Sequence, residues 1–316
     1  MNDMGGALDT VLIDCLAISE GEDVLVLTDP AKRALAEALV VRGRELGAEA
    51  VLMEMAERSN HGAEPPGLVA AAMLACDVLI APTSKSVSHT EARRAACEAG
   101  ARAATMPDVN ADMLVRTMSA DYGEVRRLSG LFAEALTGGS EVRITSAAGT
   151  DVIIGIEGRT GIADDGDLRS PGAFGNLPAG EGFIAPVEGS TRGRIAFDGS
   201  IWPIGRLEAP LVADIEDGYA VAFSGHRADE FEALLRPHGR EAYAVAELGM
   251  GTNGAATLTG EVLEDEKILG TIHVAFGDNH SFGGTIRVPS HQDGVVLEPT
   301  VAIDGRVILD AGRVAL

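Results

Sequence analysis

The sequence predicts an α/β protein with an N-terminal Rossmann-like parallel α/β domain followed by a mostly antiparallel, β-rich (α+β) domain. Between residues 23 and 106, short apolar runs alternate with segments of helical periodicity, which is typical of a parallel sheet covered on both faces. Beyond residue 139, short strand-like runs are separated by Gly and Asp turns, which indicates antiparallel pairing. We therefore expect two domains, residues 1–138 and 139–316.

The first half alternates predicted strands with predicted helices. The predicted strands are DVLVLTD (23–29), AEAVLMEM (48–55), DVLIAP (77–82) and ARAATM (101–106). The predicted helices are 30–47, 67–76 and 89–100. Pro30 and Gly47 are the expected ends of the first helix, and Thr90 is a candidate N-cap of the last. No G-x-G-x-x-G follows the first strand and no Walker motif occurs, so the sequence supports no nucleotide site.

The second half is predicted to consist mainly of short strands. A helix over 121–139 is predicted to join the halves, and a short helix is predicted over 228–239. The predicted strands are 141–156, 193–205, 221–225, 270–276, 284–289 and 293–314. Their shortness and the turns between them predict a mostly antiparallel domain.

Composition excludes several classes of function. The 316 residues include 48 acidic and 25 basic ones, a net charge of −23, which disfavours binding to nucleic acid. The N-terminus has no basic region followed by an apolar run, and apolar runs such as 68–76 are too short to cross a membrane. The three cysteines are odd in number and far apart, so we expect reduced thiols and a cytoplasmic protein.

Three of the seven histidines lie between residues 270 and 294. His291 and Asp293 are two positions apart, so on a strand their side chains would converge on one face and could bind a cation. His273 lies in an apolar stretch where an imidazole needs a partner, and His280 follows a turn-forming GDN. Histidine is a common ligand of zinc and also suits iron.

Two glutamates are further candidates. Glu181 follows a Pro-x-Gly turn, and Glu247 lies between Ala and Leu beside a Gly-rich turn, so each is either a turn-capping group or a ligand. The acidic run 261–266 is interpreted as a solvated surface, although a glutamate in it could line a site if the loop folds inward. Ser190 and Ser281 have no base at a recognisable spacing, which argues against a serine hydrolase.

Several motifs in order are similar to the aminopeptidase T family, also called thermophilic metalloproteases or leucyl aminopeptidases. They are NLPAGEGFIAP, AELGMGTN, LEDEKILGTIHVAFGDN, and SHQDG followed by PTVAIDG. The similarity covers roughly residues 145–310, and the first half agrees more loosely. The resemblance implies a metal-dependent enzyme that removes N-terminal residues from peptides.

The resemblance also implies a ligand set. Two divalent cations (Zn, Co or Mn) would be held by five residues: Glu181, Glu247, His273, His291 and Asp293. His280 stands where these peptidases have a tyrosine, so Glu181 and His280 are the candidate catalytic residues. Histidine can donate a hydrogen bond to an oxyanion as tyrosine does, but it titrates near neutral pH and can bind metal. The general base is expected to be Glu181 or a residue of 261–266. A homodimer is also implied.

The chain also resembles, more distantly, the 2,5-dihydroxypyridine dioxygenases, which hold one ferrous ion with two histidines and an aspartate. Their His-x-Asp pair corresponds to His291 and Asp293, and their other histidine to Glu247. An Fe(II) ring-cleaving dioxygenase is therefore one alternative to the aminopeptidase. Its single iron would be held by two histidines and one carboxylate drawn from His273, His280, His291 and Asp293. A metal-dependent hydrolase of non-peptide amides is another, and a metal-binding protein without turnover is the last. In each enzyme hypothesis the substrate is a small peptide, amide or aromatic molecule.

Overall fold

The computed structural model describes residues 3–315 and confirms the predicted α/β fold class. The chain forms two compact units: the first runs to Tyr122 and includes Gly166–Ala179, and the second comprises Gly123–Asp165 and the chain from Gly180 onward. Most of the helix predicted over 121–139 thus belongs to the second unit. The domain boundary predicted from the sequence, between residues 138 and 139, would place it in the first. The division into 1–138 and 139–316 stays a prediction.

The first unit begins with the alternation that the sequence predicts. Its helices are α1 (Met4–Asp9), a π-helical turn (Thr10–Cys15), α2 (Arg33–Glu45), α3 (Gly67–Ala75), α4 (Glu91–Glu98) and α5 (Ala111–Thr117). Its first strands are β1 (Asp23–Thr28), β2 (Glu49–Glu54), β3 (Val78–Thr83) and β4 (Arg102–Pro107). Thr90 is the N-cap of α4, as predicted, because its hydroxyl accepts a hydrogen bond from the Arg93 amide at 3.2 Å.

The rest of the chain is mainly strands. After α6 (Tyr122–Gly138) come β5 (Glu141–Thr145), β6 (Asp151–Gly155), β7 (Ile162–Asp164), β8 (Phe174–Asn176), β9 (Glu181–Ile184), β10 (Arg192–Phe197), β11 (Ser200–Ile201), β12 (Gly205–Arg206), β13 (Leu211–Glu216) and β14 (Tyr219–Gly225). There follow α7 (Ala228–Leu235), the 3-10 turns Arg236–His238 and Arg240–Tyr243, β15 (Val245–Gly251), α8 (Val262–Asp265), β16 (Ile272–Gly277), the 3-10 turn His280–Phe282, β17 (His291–Val296), β18 (Thr300–Ile303), β19 (Arg306–Asp310) and β20 (Arg313–Val314).

The strands form three sheets. The first unit holds a parallel sheet in the order β2-β1-β3-β4-β8, in which β8 is a three-residue edge strand too short to predict from periodicity. The second unit holds two antiparallel sheets, β14-β13-β10-β6-β5-β18-β19-β20 and β12-β11-β17-β16-β15-β9-β7. The sheet β12-β11-β17-β16-β15-β9-β7 carries all five residues of the predicted two-cation ligand set.

Side chains from both antiparallel sheets and from α6 share one core. Phe132 and Leu136 of α6 are fully buried in it. Phe276 of β16 lies at its centre, with its ring 6.1 Å from that of Phe197 and 6.0 Å from that of Phe231, both edge-on. This apolar packing explains why α6 belongs to the second unit, and it fixes the strands that carry the candidate site.

One predicted strand is wrong. Residues 284–289 were expected to form a strand, but they form an irregular segment. Side chains take the backbone N–H groups that a strand would use: the Thr285 amide donates to Glu188 at 2.7 Å and the Ile286 amide donates to Asn279 at 2.8 Å. Side-chain acceptors of this kind compete with a β-ladder for the backbone N–H groups, and neither partner could be identified from the sequence.

None of the three cysteines forms a disulfide bond within residues 3–315, as predicted for reduced thiols; Cys15 and Cys97 are buried and Cys76 is half-buried. Among residues 3–315, no helix combines the length and the apolar character that a membrane crossing requires.

Candidate metal centre

Four neighbouring strands carry the five predicted ligands. Their order across the sheet is β17-β16-β15-β9, and the ligands on them are His291 and Asp293 (β17), His273 (β16), Glu247 (β15) and Glu181 (β9). Side chains of alternate residues on a strand share a face, which brings His291 and Asp293 to the same side as predicted. Glu247 lies within a fully buried strand rather than beside a turn, so the turn-capping interpretation of this residue is wrong.

The structure brings these five residues into contact. Nε2 of His273 lies 3.0 Å from Glu181 Oε2 and 3.3 Å from Glu247 Oε1. The other carboxylate oxygen of Glu247 lies 3.4 Å from Nε2 of His291, which is also 3.5 Å from Asp293 Oδ1. Glu247 therefore lies between the two imidazoles, with one oxygen toward each. Only His291 has a side chain with substantial exposure, at 32%.

The second ring nitrogen of His291 fixes its tautomer. Nδ1 lies 2.8 Å from the carbonyl oxygen of Asp278, which can only accept a hydrogen bond, so Nδ1 carries the proton. In the neutral imidazole, the lone pair is then on Nε2 and is directed at the carboxylates. A histidine held in this way by a backbone carbonyl is typical of metal ligands.

The surroundings of His273 fit a cation better than a proton. Its Nε2 can donate one hydrogen between two carboxylates, and Oε2 of Glu181 is buried without a hydrogen bond. A positive ion among these atoms would satisfy both carboxylates and the imidazole. Two sets of donor atoms are close enough to share an ion: Glu181, Glu247 and His273 in one, and Glu266, His273 and Asp293 in the other. Since both sets include His273, they describe overlapping positions.

Three residues of this centre were not among the predicted ligands. Lys267 is fully buried, and its Nζ lies 2.5 Å from Glu181 Oε1, 2.9 Å from Glu266 Oε1 and 3.2 Å from Asp164 Oδ2. Asp164 pairs in register with Glu181 across β7 and β9. One sequence feature could have drawn attention to Lys267: it is one of three lysines, whereas the other 22 basic residues are arginines.

The acidic run 261–266 is not a solvated surface. Glu264 and Asp265 are completely buried, and a loop holds their carboxylates. Glu264 accepts from the Thr257 amide at 2.9 Å, and Asp265 accepts from the amides of Thr259 and Gly260 at 2.7 and 2.8 Å. Glu266 is the member of the run that reaches the predicted ligands His273 and Asp293, so the loop does fold inward.

The charges in this cluster shift one another's protonation. Burial raises the pKa of Glu181 and of Glu247, but Lys267 and His273 around the first and the two histidines around the second outweigh it and lower each pKa to about 2. Burial raises the pKa of Glu266 to about 8 despite the neighbouring ammonium. Burial lowers the pKa of His273 and of His291, but the facing carboxylates raise both well above the ordinary value.

His280, the other predicted catalytic residue, lies on the surface. It is exposed, and its Nε2 contacts the guanidinium of Arg287. Two residues further on, the ring of Phe282 lies 6.0 Å from that of His291 and 5.7 Å from that of Phe183, edge-on in both cases. The half-buried ring of Phe282 thus contacts the predicted ligand His291, whereas the side chain of His280 contacts Arg287. A catalytic role for His280 stays a prediction.

Comparison with known proteins identifies relatives of both kinds that the motifs suggested. A family model described as NicX, 2,5-dihydroxypyridine 5,6-dioxygenase, matches residues 4–316. A 2,5-dihydroxypyridine dioxygenase from Pseudomonas putida KT2440 is similar in structure, with a TM-score of 0.85 and 18% identity over 100% of this chain and 98% of that one. AmpT from Thermus thermophilus has a TM-score of 0.71 and 16% identity over 99% of both chains. At these identities the two structures show the shared fold. No curated protein matches the sequence.

Proposed function

This chain belongs to the 2,5-dihydroxypyridine 5,6-dioxygenase family, and on that premise we propose that it is a ferrous dioxygenase that opens a hydroxylated aromatic ring such as a dihydroxypyridine. The family match reverses the order of the two resemblances drawn from the sequence, in which the dioxygenases were the more distant relatives. The chain nevertheless has all five residues of the peptidase-type ligand set. The geometry is therefore the basis on which we choose the ligands of an iron ion among them.

One observation supports the iron site most strongly: the two oxygens of Glu247 face Nε2 of His273 and Nε2 of His291. Neighbouring ligand atoms around one ion with bonds of about 2.1 Å lie about 3 Å apart, close to these separations. Two histidines and one carboxylate are the usual ligands of non-haem ferrous oxygenases. We assign His273, His291 and Glu247 to this set, with Asp293 beside His291 as a fourth donor.

A ferrous ion supplies the unpaired electrons that allow dioxygen to react with an electron-rich ring. The residues of the chain do the remaining work. Glu266 lies among the ligand atoms, so its carboxylate is the proposed acceptor of the substrate's hydroxyl proton. Phe282, whose ring lies edge-on to those of His291 and Phe183, would offer apolar contacts to a flat aromatic substrate.

The direct test is oxygen consumption. Protein freed of metal and reloaded with Fe²⁺ under anaerobic conditions should consume one O₂ for each dihydroxypyridine lost, with loss of the ring's ultraviolet absorption. Protein reloaded with Zn²⁺ should not react, because Zn²⁺ has no redox chemistry. Oxygen uptake that is absent with dihydroxypyridines and other dihydroxylated aromatic rings would exclude this function.

An aminopeptidase is the second candidate, and Glu181 is the observation that favours it. This residue presents a carboxylate oxygen to His273 and completes a five-residue ligand set of the peptidase type. Two divalent cations there would activate a water molecule and polarise a peptide carbonyl. Cleavage of unblocked dipeptides or amino-acid anilides by the Zn²⁺-, Co²⁺- or Mn²⁺-loaded protein, without oxygen uptake by the Fe²⁺ form, would establish it in place of the dioxygenase. The expected homodimer belongs to both proposals, and sedimentation tests it.

A further inference from the structure

Lys267, to which the proposed reaction assigns no role, forms the centre of a buried cluster of charged side chains. Its side chain has no exposure, and its Nζ contacts one carboxylate oxygen from each of three residues: Asp164, Glu181 and Glu266. An ammonium group has three hydrogens to donate, so these oxygens satisfy it fully. A buried cation surrounded by three carboxylates has the electrostatic environment that would otherwise attract a metal ion.

The backbone around Lys267 is fixed on both sides. Its amide donates to the Glu264 carbonyl at 3.0 Å, and its carbonyl accepts from the Asn253 amide at 2.8 Å. The next residue, Ile268, forms a parallel bridge with Asn253. The ammonium is therefore placed by a rigid segment rather than by a flexible surface loop.

Glu181 connects this ammonium to the metal ligands. Its Oε1 contacts Lys267 and its Oε2 faces Nε2 of His273, so the two oxygens of one carboxylate lie between two positively charged or metal-binding partners. In centres with two metal ions, a carboxylate commonly bridges cations about 3.5–4 Å apart. Here the ammonium occupies the side of Glu181 where a second ion would bind.

We propose that Lys267 is a built-in cation that replaces a second metal ion, so that the centre holds one divalent ion per chain. Lys267 is thus a positioning residue: it holds Glu181, Glu266 and Asp164 and leaves the His273 side of Glu181 for the metal. The inference rests on the metal site proposed above, but it concerns the number of ions and is independent of the reaction.

Removing the ammonium should make room for a second ion. Lys267→Met keeps most of the side-chain volume but leaves three carboxylates without their cation. At pH 8, equilibrium dialysis of metal-free protein against Co²⁺ should give one ion per chain for the wild type and two for Lys267→Met. The visible absorption of Co²⁺ should change accordingly. Lys267→Met combined with Glu266→Gln removes one carboxylate charge as well and should return the count toward one.

Two controls separate this effect from a loss of structure. Lys85→Met changes one of the two lysines outside the cluster and should bind one Co²⁺. Circular dichroism shows whether each variant is folded, and Lys267→Gln replaces Lys267→Met if that variant is not.

A wild-type count of two Co²⁺ overturns the proposal whatever the variants do. A folded Lys267→Met or Lys267→Gln that still binds one also overturns it. Because the readout is a count of ions, the outcome is distinct from that of the ring-opening test. One Co²⁺ without ring opening by the Fe²⁺ form would refute the function and leave the inference intact, and two Co²⁺ with ring opening would do the reverse.

Discussion

The imidazole of His273 fills the space that Gly249 leaves on the neighbouring strand. The two residues are directly opposite each other in the β15–β16 ladder. A side-chain carbon at position 249 would overlap the imidazole ring, both at Cε1 and at Nε2. The absence of a side chain at Gly249 therefore leaves room for the imidazole of His273, the most buried of the candidate ligands. A glycine is needed here for space and not for a positive φ angle.

This relationship predicts the effect of Gly249→Ala. The added methyl group must push the ring of His273 away from Glu181 and Glu247, so we expect metal affinity to fall by roughly 10- to 100-fold. Overpacking should also lower the free energy of unfolding by about 1–3 kcal/mol. Isothermal titration with Co²⁺ measures the first effect and urea unfolding the second.

Gly254→Ala is the matched control. A side-chain carbon there would meet Leu269 Cδ2 at 3.8 Å, an ordinary van der Waals distance. Its metal affinity should equal that of the wild type. If Gly249→Ala also binds metal normally, His273 does not need this space to act as a ligand.

Glu247 should be indispensable for metal binding. Glu247→Gln keeps the size of the side chain but removes the negative charge that faces both imidazoles, so we expect metal content after dialysis to fall to about a tenth or less. Metal analysis of the dialysed protein measures this. Glu241→Gln, which changes an exposed glutamate beside Tyr219, should retain the metal. A Glu247→Gln protein with full metal content would remove Glu247 from the ligand set.

Metal binding should release protons. In the metal-free protein, nearby carboxylates raise the pKa of His273 and of His291, so both are protonated at neutral pH and each must lose a proton to bind metal. Affinity should therefore increase with pH, by up to about 100-fold per unit if both protons leave. Titration calorimetry in two buffers of different ionisation enthalpy, at one pH, counts the protons. A count of zero would contradict this assignment.

The metal-free protein should show the opposite dependence on pH. Because the folded-state pKa of each histidine is raised, their ion pairs with Glu181, Glu247 and Asp293 contribute stability that is complete below the ordinary histidine pKa. This contribution is lost as the pH rises through the raised values. Thermal unfolding with a chelator present should show these histidines contributing less to the melting temperature in alkaline buffers, and the same scan on His291→Ala should show a weaker pH dependence.

His280 is expected to act in catalysis without binding the metal. Since its ring contacts Arg287 on the surface, His280→Ala should leave metal content unchanged. If His280 takes part in proton transfer or stabilises charge, turnover should fall by about 100-fold or more. Steady-state oxygen uptake measures turnover, with Arg287→Ala as the comparison for loss of the pair alone. Unchanged turnover in His280→Ala would end the catalytic assignment.

The sequence by itself determined the alternation of strands and helices in the first half and the antiparallel character of the second. It did so because periodicity is a local property: 3.6 residues for a helix and two for a strand. It also identified five candidate ligands, since the motif spacing preserves them in order, and the structure brings those five together. The Thr90 N-cap could be predicted as well, because capping depends on residues next to the start of the helix.

Only the tertiary structure decided which charged residues join the centre. Glu266 and Lys267 lie far from Glu181 in the sequence, and the ion pairs of Lys267 bring them to it. Asp164 joins them because β7 pairs with β9, in register with Glu181. Residues 284–289 do not form a strand because Glu188 and Asn279 take their amides, and the acidic run is buried because a loop satisfies Glu264 and Asp265. Contacts of this kind depend on how loops fold and which groups then meet, and the periodicity of helices and strands carries no information about that.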